Sequence, residues 1–209
     1  MASSWVESNI IILATVAAFA VLIILSISLF RPAFDDPQVV FVEEPLEKNK
    51  ELQLFPGEAY RYSYAFNNTS INITYLVLEG PGCTRIRLLE KLNDSEICID
   101  RAGNDPDRYN STFRNPSFLL FKPWMLALKD GWRWNSTMYF SFDDSLQRIS
   151  GTGYRVIRSE PYGNRTAFLV EIKSDEGPAE YQWVDAEKRV LLKTMGEGYE
   201  VVLAEPLAE

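Results

Sequence analysis

The chain has 209 residues, a formal charge of −8, a pI near 4.8, two cysteines and no histidine. That acidity argues against nucleic acid or anionic lipid headgroups as partners. The lack of imidazole removes the commonest general base and metal ligand.

Residues 1–9 form a short polar tail, and residues 10–30 are 21 consecutive residues without a charge. As a helix this run is about 32 Å long, matching a hydrocarbon core of about 30 Å. Trp5 and Phe34 are placed for the two interfaces, and Arg31-Pro32 ends the helix because proline cannot continue it. The alternative is a cleaved secretory signal, whose apolar stretch runs about 7–15 residues after a basic start. Met1 to Glu7 carries no basic side chain, so the reading taken is a single transmembrane helix.

Residues 31–50 are rich in Pro, Glu and Asp and read as an extended stalk or linker. Residues 51–209 suit one domain with its own core. Seven of eleven asparagines sit in Asn-x-Ser/Thr sequons: Asn67, Asn68, Asn72, Asn93, Asn110, Asn135 and Asn164. Serine and threonine fill 25 of 209 positions, so chance accounts for only about one of them. An N-glycan acceptor needs an exposed segment outside the cytoplasm. Arg31, Lys48 and Lys50 after the helix, against no basic residue before it, favour the opposite orientation. The sequons and the cysteine pair decide for an extracytoplasmic domain.

Within that domain the predicted elements follow one another as strands. Tyr60, Tyr62, Tyr64 and Phe66 alternate with smaller or polar residues at a period of two. Asn72 to Leu78 follows, then Thr84 to Leu89 and Glu96 to Asp100 as a hairpin that brings Cys83 and Cys98 together. A disulfide there fits an oxidising compartment; a reduced pair or a metal site are the alternatives, and two thiols without histidine make a poor zinc site. The stretch 101–116 reads as a polar loop. Pro123 opens a short predicted helix, Trp124 to Lys129, with Gly131 at its C-terminal cap. Phe118, Phe121, Met125 and Leu128 would share its apolar side.

Strands are then expected at Trp132 to Phe142, Tyr154 to Ser159, Thr166 to Lys173, Glu180 to Asp185, Val190 to Met195 and Tyr199 to Leu203. Turn chemistry separates them at Gly151-Thr152-Gly153, Pro161 to Asn164, Asp175 to Pro178 and Gly196 to Gly198. Short links force antiparallel neighbours. The expected fold is therefore mostly β: an antiparallel meander forming a curved sheet or half-barrel with one short covering helix, preceded by the transmembrane helix.

The succession Gly153 to Val156, Ala167 to Glu171, Tyr181 to Asp185 and Arg189 to Leu192 resembles the curved half-barrel of bacterial lipoprotein carriers and related envelope proteins. The resemblance covers about half of the chain. It implies a concave face able to take lipid. Those families start with a cleaved signal or a lipidated cysteine, and this chain shows neither. The absence of histidine, the few glutamines and the many Glu, Lys and Arg are similar to heat-adapted proteomes. With the dense sequons, the whole chain looks like an archaeal membrane-anchored surface glycoprotein.

No nucleophile elbow, phosphate-binding glycine loop or metalloprotease motif is present, so neither an enzyme nor a cofactor is expected. The carboxylate pairs Asp105/Asp107, Asp143/Asp144 and Asp185/Glu187 lie where turns are expected and read as solvated turn acids. An aromatic cluster, Trp124, Trp132, Trp134, Tyr139, Phe140 and Phe142, reads either as core packing or as an apolar groove for a lipid chain or partner, the groove then lined by Phe118, Phe121, Trp124, Met125, Trp132 and Trp134. The leading functional reading is a non-catalytic binding or scaffolding domain, an accessory subunit with a protein partner in the membrane or envelope. The alternatives are a pilin-like filament subunit, suggested by Glu7 before the apolar helix, and lipid or glycolipid binding.

Overall fold

The computed structural model describes residues 38–66, 69–89, 95–103, 119–142 and 145–204. The predicted transmembrane helix, residues 31–37 of the predicted stalk, Asn67, Asn68, Asn93, Asn110, Phe118 and the pairs Asp105/Asp107 and Asp143/Asp144 lie outside them. Among the described residues no helix is long and apolar enough to cross a membrane. The chain divides into residues 1–39 with 140–147, and residues 40–139 with 148–209. Of the first unit only strand ends are described.

Eleven described strands form one antiparallel sheet that does not close: β1 (Gln38–Glu43), β2 (Ala59–Phe66), β3 (Thr69–Gly80), β4 (Cys83–Leu89), β5 (Ser95–Ile99), β6 (Arg133–Phe142), β7 (Ser145–Tyr162), β8 (Arg165–Ser174), β9 (Glu180–Asp185), β10 (Leu191–Gly196) and β11 (Tyr199–Ala204). Their order is β1-β6-β7-β8-β9-β10-β11-β2-β3-β4-β5. Two meanders, β2–β5 and β6–β11, are thus joined where the last strand pairs with β2, from Tyr199 opposite Phe66 to Ala204 opposite Arg61. The link from Gly80 to Cys83 is a two-residue turn, Pro81-Gly82, in which proline suits the first central position and Gly82 takes φ 77 at the second, as a type II turn requires.

The period-two pattern sets which face is buried. Tyr60 and Tyr62 lie opposite Tyr75 and Ile73, and this face continues through Val201, Thr194, Val184, Val170, Tyr154 and Trp134. Residues 119–128 lie against it. Leu191 N–H donates to Leu120 O at 3.0 Å, and Leu119 N–H donates to the Tyr75 hydroxyl at 3.0 Å. The core is this inner face plus that segment.

Three expectations are corrected. First, the predicted short helix is a 3-10 helix, Pro123–Ala127, that stops before the expected Lys129, with extended Leu128 after it in place of a Gly131 cap. Trp124, Met125, Leu126, Ala127 and Leu128 are all buried. A segment apolar on every side has no outer face to give to solvent, and the chain is pinned from both flanks rather than coiled on the surface. Second, residues 38–50 are bonded into the domain rather than standing off as a stalk. Beyond β1, Glu44 N–H donates to Asn135 O at 3.2 Å, and the N–H groups of Asn49 and Lys50 share Leu126 O. Third, Gly151-Thr152-Gly153 is no turn but lies inside β7, where Thr152 pairs with Ser174 and Gly153 with Lys173.

Candidate functional site

Cys83 and Cys98 form a disulfide across the β4–β5 hairpin, with Cα atoms 5.7 Å apart. Ile86 and Ile99, on the opposite face of the same hairpin, are buried. The hairpin edge is tied further by Glu96, which accepts from both Arg85 and Arg87.

Three predicted glycan acceptors are described. Asn72 is exposed on β3 opposite Ser63, on the face away from the core, and Asn164 is exposed in the β7–β8 turn. Asn135 differs. It sits within β6 between buried Trp134 and buried Ser136. Its Nδ2 donates to Glu44 Oε1 at 2.9 Å and its backbone N–H to Glu44 Oε2 at 3.1 Å, while Trp134 Nε1 donates to Glu44 O at 2.8 Å. The sequon at Asn135 is a clamp on the arm leading out of β1.

The described residues of the predicted groove are core, whereas Phe140 of the aromatic cluster is 36% exposed. Phe121, Trp124, Met125, Trp132 and Trp134 are all buried, none more than 8% exposed. Trp124 stacks on Trp132 at 6.0 Å, and Trp134 packs against Tyr154 at 5.1 Å between ring centroids. Their faces are used by one another, so these five line no open groove.

Residues that the pattern did not single out gather at two places. On the inner face Glu180 accepts from Gln182 Nε2 at 2.5 Å, Thr194 Oγ1 at 2.8 Å and Tyr199 OH at 2.6 Å. Burial pushes the Lys122 amine down to about 8, opposed by the attraction of Glu180. Burial and the Glu180 carboxylate raise the Tyr199 phenol. Tyr64 stacks on both Tyr199 and Phe66, and Phe66 is 46% exposed. On the outer face an open depression of about 400 Å³ is lined by Arg133 and Asn135 of β6, Gly153, Tyr154 and Arg155 of β7, and Glu171 and Lys173 of β8. Arg155 Nε donates to Glu171 Oε2 at 2.5 Å.

Of the predicted turn acids, Asp185 is buried and structural. Its Oδ1 accepts the N–H groups of Glu187 and Lys188, and its Oδ2 accepts from Arg165 Nη1 at 2.9 Å. Arg189, left-handed at φ 62, closes this turn with its guanidinium over the Phe168 ring at 4.9 Å. Among the described residues no three His, Cys, Asp or Glu side chains are grouped to hold a metal ion. No family model, curated protein or solved structure matches the chain.

Proposed function

We propose that the chain is a single-pass, membrane-anchored extracytoplasmic glycoprotein whose β domain binds or scaffolds a partner without catalysing a reaction. The observation that carries this reading is the excess of sequons, seven of eleven asparagines, all placed after the apolar run 10–30. Two features of the sheet support it. The exposed positions of Asn72 and Asn164 leave their amides accessible to a glycan, and the Cys83–Cys98 disulfide suits an oxidising compartment. An accessory subunit of a larger membrane complex is the version favoured, because a dedicated anchor keeps the domain beside other membrane proteins.

Protease added to intact cells tests the placement. The domain is expected to be cleaved without lysis, and its mass is expected to fall on enzymatic deglycosylation. Protection in intact cells together with an unmodified mass would overturn the reading. Cross-linking in native membranes followed by purification in mild detergent tests the subunit version, which fails if the protein always runs alone.

A further inference from the structure

Gly153 stands in the middle of β7, where backbone conformation does not require glycine and only the Asn135 side chain crowds the position. It is not among the glycines with positive φ. A Cβ at this position would meet Asn135 Oδ1 at 3.3 Å and the Lys173 carbonyl oxygen at 3.9 Å, and nothing nearer. Other in-strand glycines are explained by crowding. At Gly151 a Cβ would fall 2.5 Å from Arg148 Nη2, and at Gly196 it would fall 2.3 Å from the Tyr199 ring. What the missing side chain does at Gly153 is keep the floor of the outer depression open. Glycine inside a strand marks a bulge, a bend or a place where another group comes close to the backbone, and the shift in β7 register lies further on, between Val156 and Arg158.

The rim of this floor runs against the acidic character of the chain. Arg133, Arg155 and Lys173 surround it, with Glu171 as the one carboxylate in the lining. Glu171 is committed to Arg155. Lys173 is also drawn to Glu171, which accepts from the Tyr181 hydroxyl as well, while Arg133 makes no ion pair or side-chain hydrogen bond among the described residues. Arg133 and Lys173 lie two strands apart, about 10 Å in the hydrogen-bonding direction, a span that two long side chains can close over one group. The nearby Glu44 carboxylate is held by Asn135 on the far side of β6.

We propose that this depression is a binding site for a small solute carrying an oxyanion. Arg133 offers the paired N–H donors that suit carboxylate, sulfate or phosphate oxygens. Lys173 supplies the second charge, and Gly153 lets the group settle onto the sheet surface. The volume, about 400 Å³, is near the lower end for small-molecule pockets and suits a solute of monosaccharide size. The site rests on sheet geometry alone and is independent of the side of the membrane on which the domain resides.

Calorimetric titration of the full chain in neutral detergent at low ionic strength tests it, with glucuronate, inorganic phosphate and uncharged glucose as probes. At least one oxyanion is expected to bind, more weakly as salt is added, and glucose is expected not to bind. Response to glucuronate alone assigns the site to a carboxylate sugar, and response to phosphate alone assigns it to a phosphate group. Arg133→Ala and Lys173→Ala should each lower affinity by about tenfold, the loss of one charge-assisted bond, and Lys173→Arg should retain it. Gly153→Val should abolish binding; its Cβ would crowd Asn135 Oδ1 at 3.3 Å, so Tm is measured alongside and the Arg133 and Lys173 variants carry the test. Absence of binding by both oxyanions, or affinity unchanged in Arg133→Ala and Lys173→Ala, overturns the proposal.

Discussion

Tyr62 and Tyr64 are two residues apart on one strand and one face, and they differ in what their hydroxyls meet. Tyr62 is fully buried, and its OH donates to Leu191 O at 2.7 Å across 129 residues of sequence. Tyr64 is half-buried, and its hydroxyl has no hydrogen-bond partner among the described residues. Tyr62→Phe removes the donor and leaves a carbonyl in the core. A carbonyl has a second lone pair and Leu191 N–H keeps its bond to Leu120, so the cost should sit near the middle of the range, about 1.5 kcal/mol. At a urea m-value of about 2 kcal/mol/M that moves the midpoint down by roughly 0.7 M. Tyr64→Phe should stay within about 0.5 kcal/mol of wild type. Urea unfolding of the full chain in neutral detergent, followed by tryptophan fluorescence, reads both. Equal midpoints for the two variants, with unchanged m, would refute the seating of β2 over β10.

Removing the disulfide by Cys83→Ser with Cys98→Ser should destabilise the domain by about 3 kcal/mol for a loop of this length, measured by the same unfolding assay. Asp185→Ala leaves the Arg165 charge and two turn N–H groups without their acceptor; a loss of about 3 kcal/mol is expected, and a loss below about 0.5 kcal/mol would return Asp185 to the class of solvated turn acids. Burial lowers Lys122 from 10.5 to about 8, so the unfolded chain binds more protons between those values and stability contributed through this amine rises with pH across that window. Lys122→Met should remove that rise in alkaline unfolding curves; identical curves would show that the amine is solvated.

The elements legible in the sequence are those whose pairing is local. The tyrosine alternation marks β2, Glu180–Asp185 appears with its observed limits, and the cysteine hairpin follows from turn residues between two short strands. The β11–β2 seam was not legible, because no turn joins Tyr199–Ala204 to Ala59–Phe66 and the alternation of each strand fits many partners. β1 was hidden for a similar reason. Its apolar run Gln38–Glu43 lies in a stretch whose Pro, Asp and Glu read as linker, and it adjoins β6, almost a hundred residues further on. Gly151-Thr152-Gly153 reads as punctuation, whereas one glycine admits Arg148 and Asp175 and the other opens the outer depression. Arg133, Arg155 and Lys173 are scattered over about forty residues and share no motif. Only strand order and the register of Gly153 with Lys173 place them together.

That register also sets sugar against ligand on the outer face. Asn72 on β3 and Gly153 on β7 are separated by six strand spacings in the sheet order, about 29 Å, so a glycan at Asn72 leaves the depression clear. Asn135 lines the depression itself, and its amide lies between Glu44 on one side and the open floor at Gly153 on the other. A sugar on its Nδ2 would replace one of its two N–H donors, crowd Glu44 and place the first ring beside the space that the oxyanion needs. Glycopeptide mapping should therefore find sugar at Asn164 and Asn72 and a bare amide at Asn135. Glu44→Ala frees that amide and should raise its occupancy, with oxyanion binding falling in proportion. Full occupancy of Asn135 in the wild-type protein would mean that the Glu44 clamp forms too late, or too weakly, to shield it.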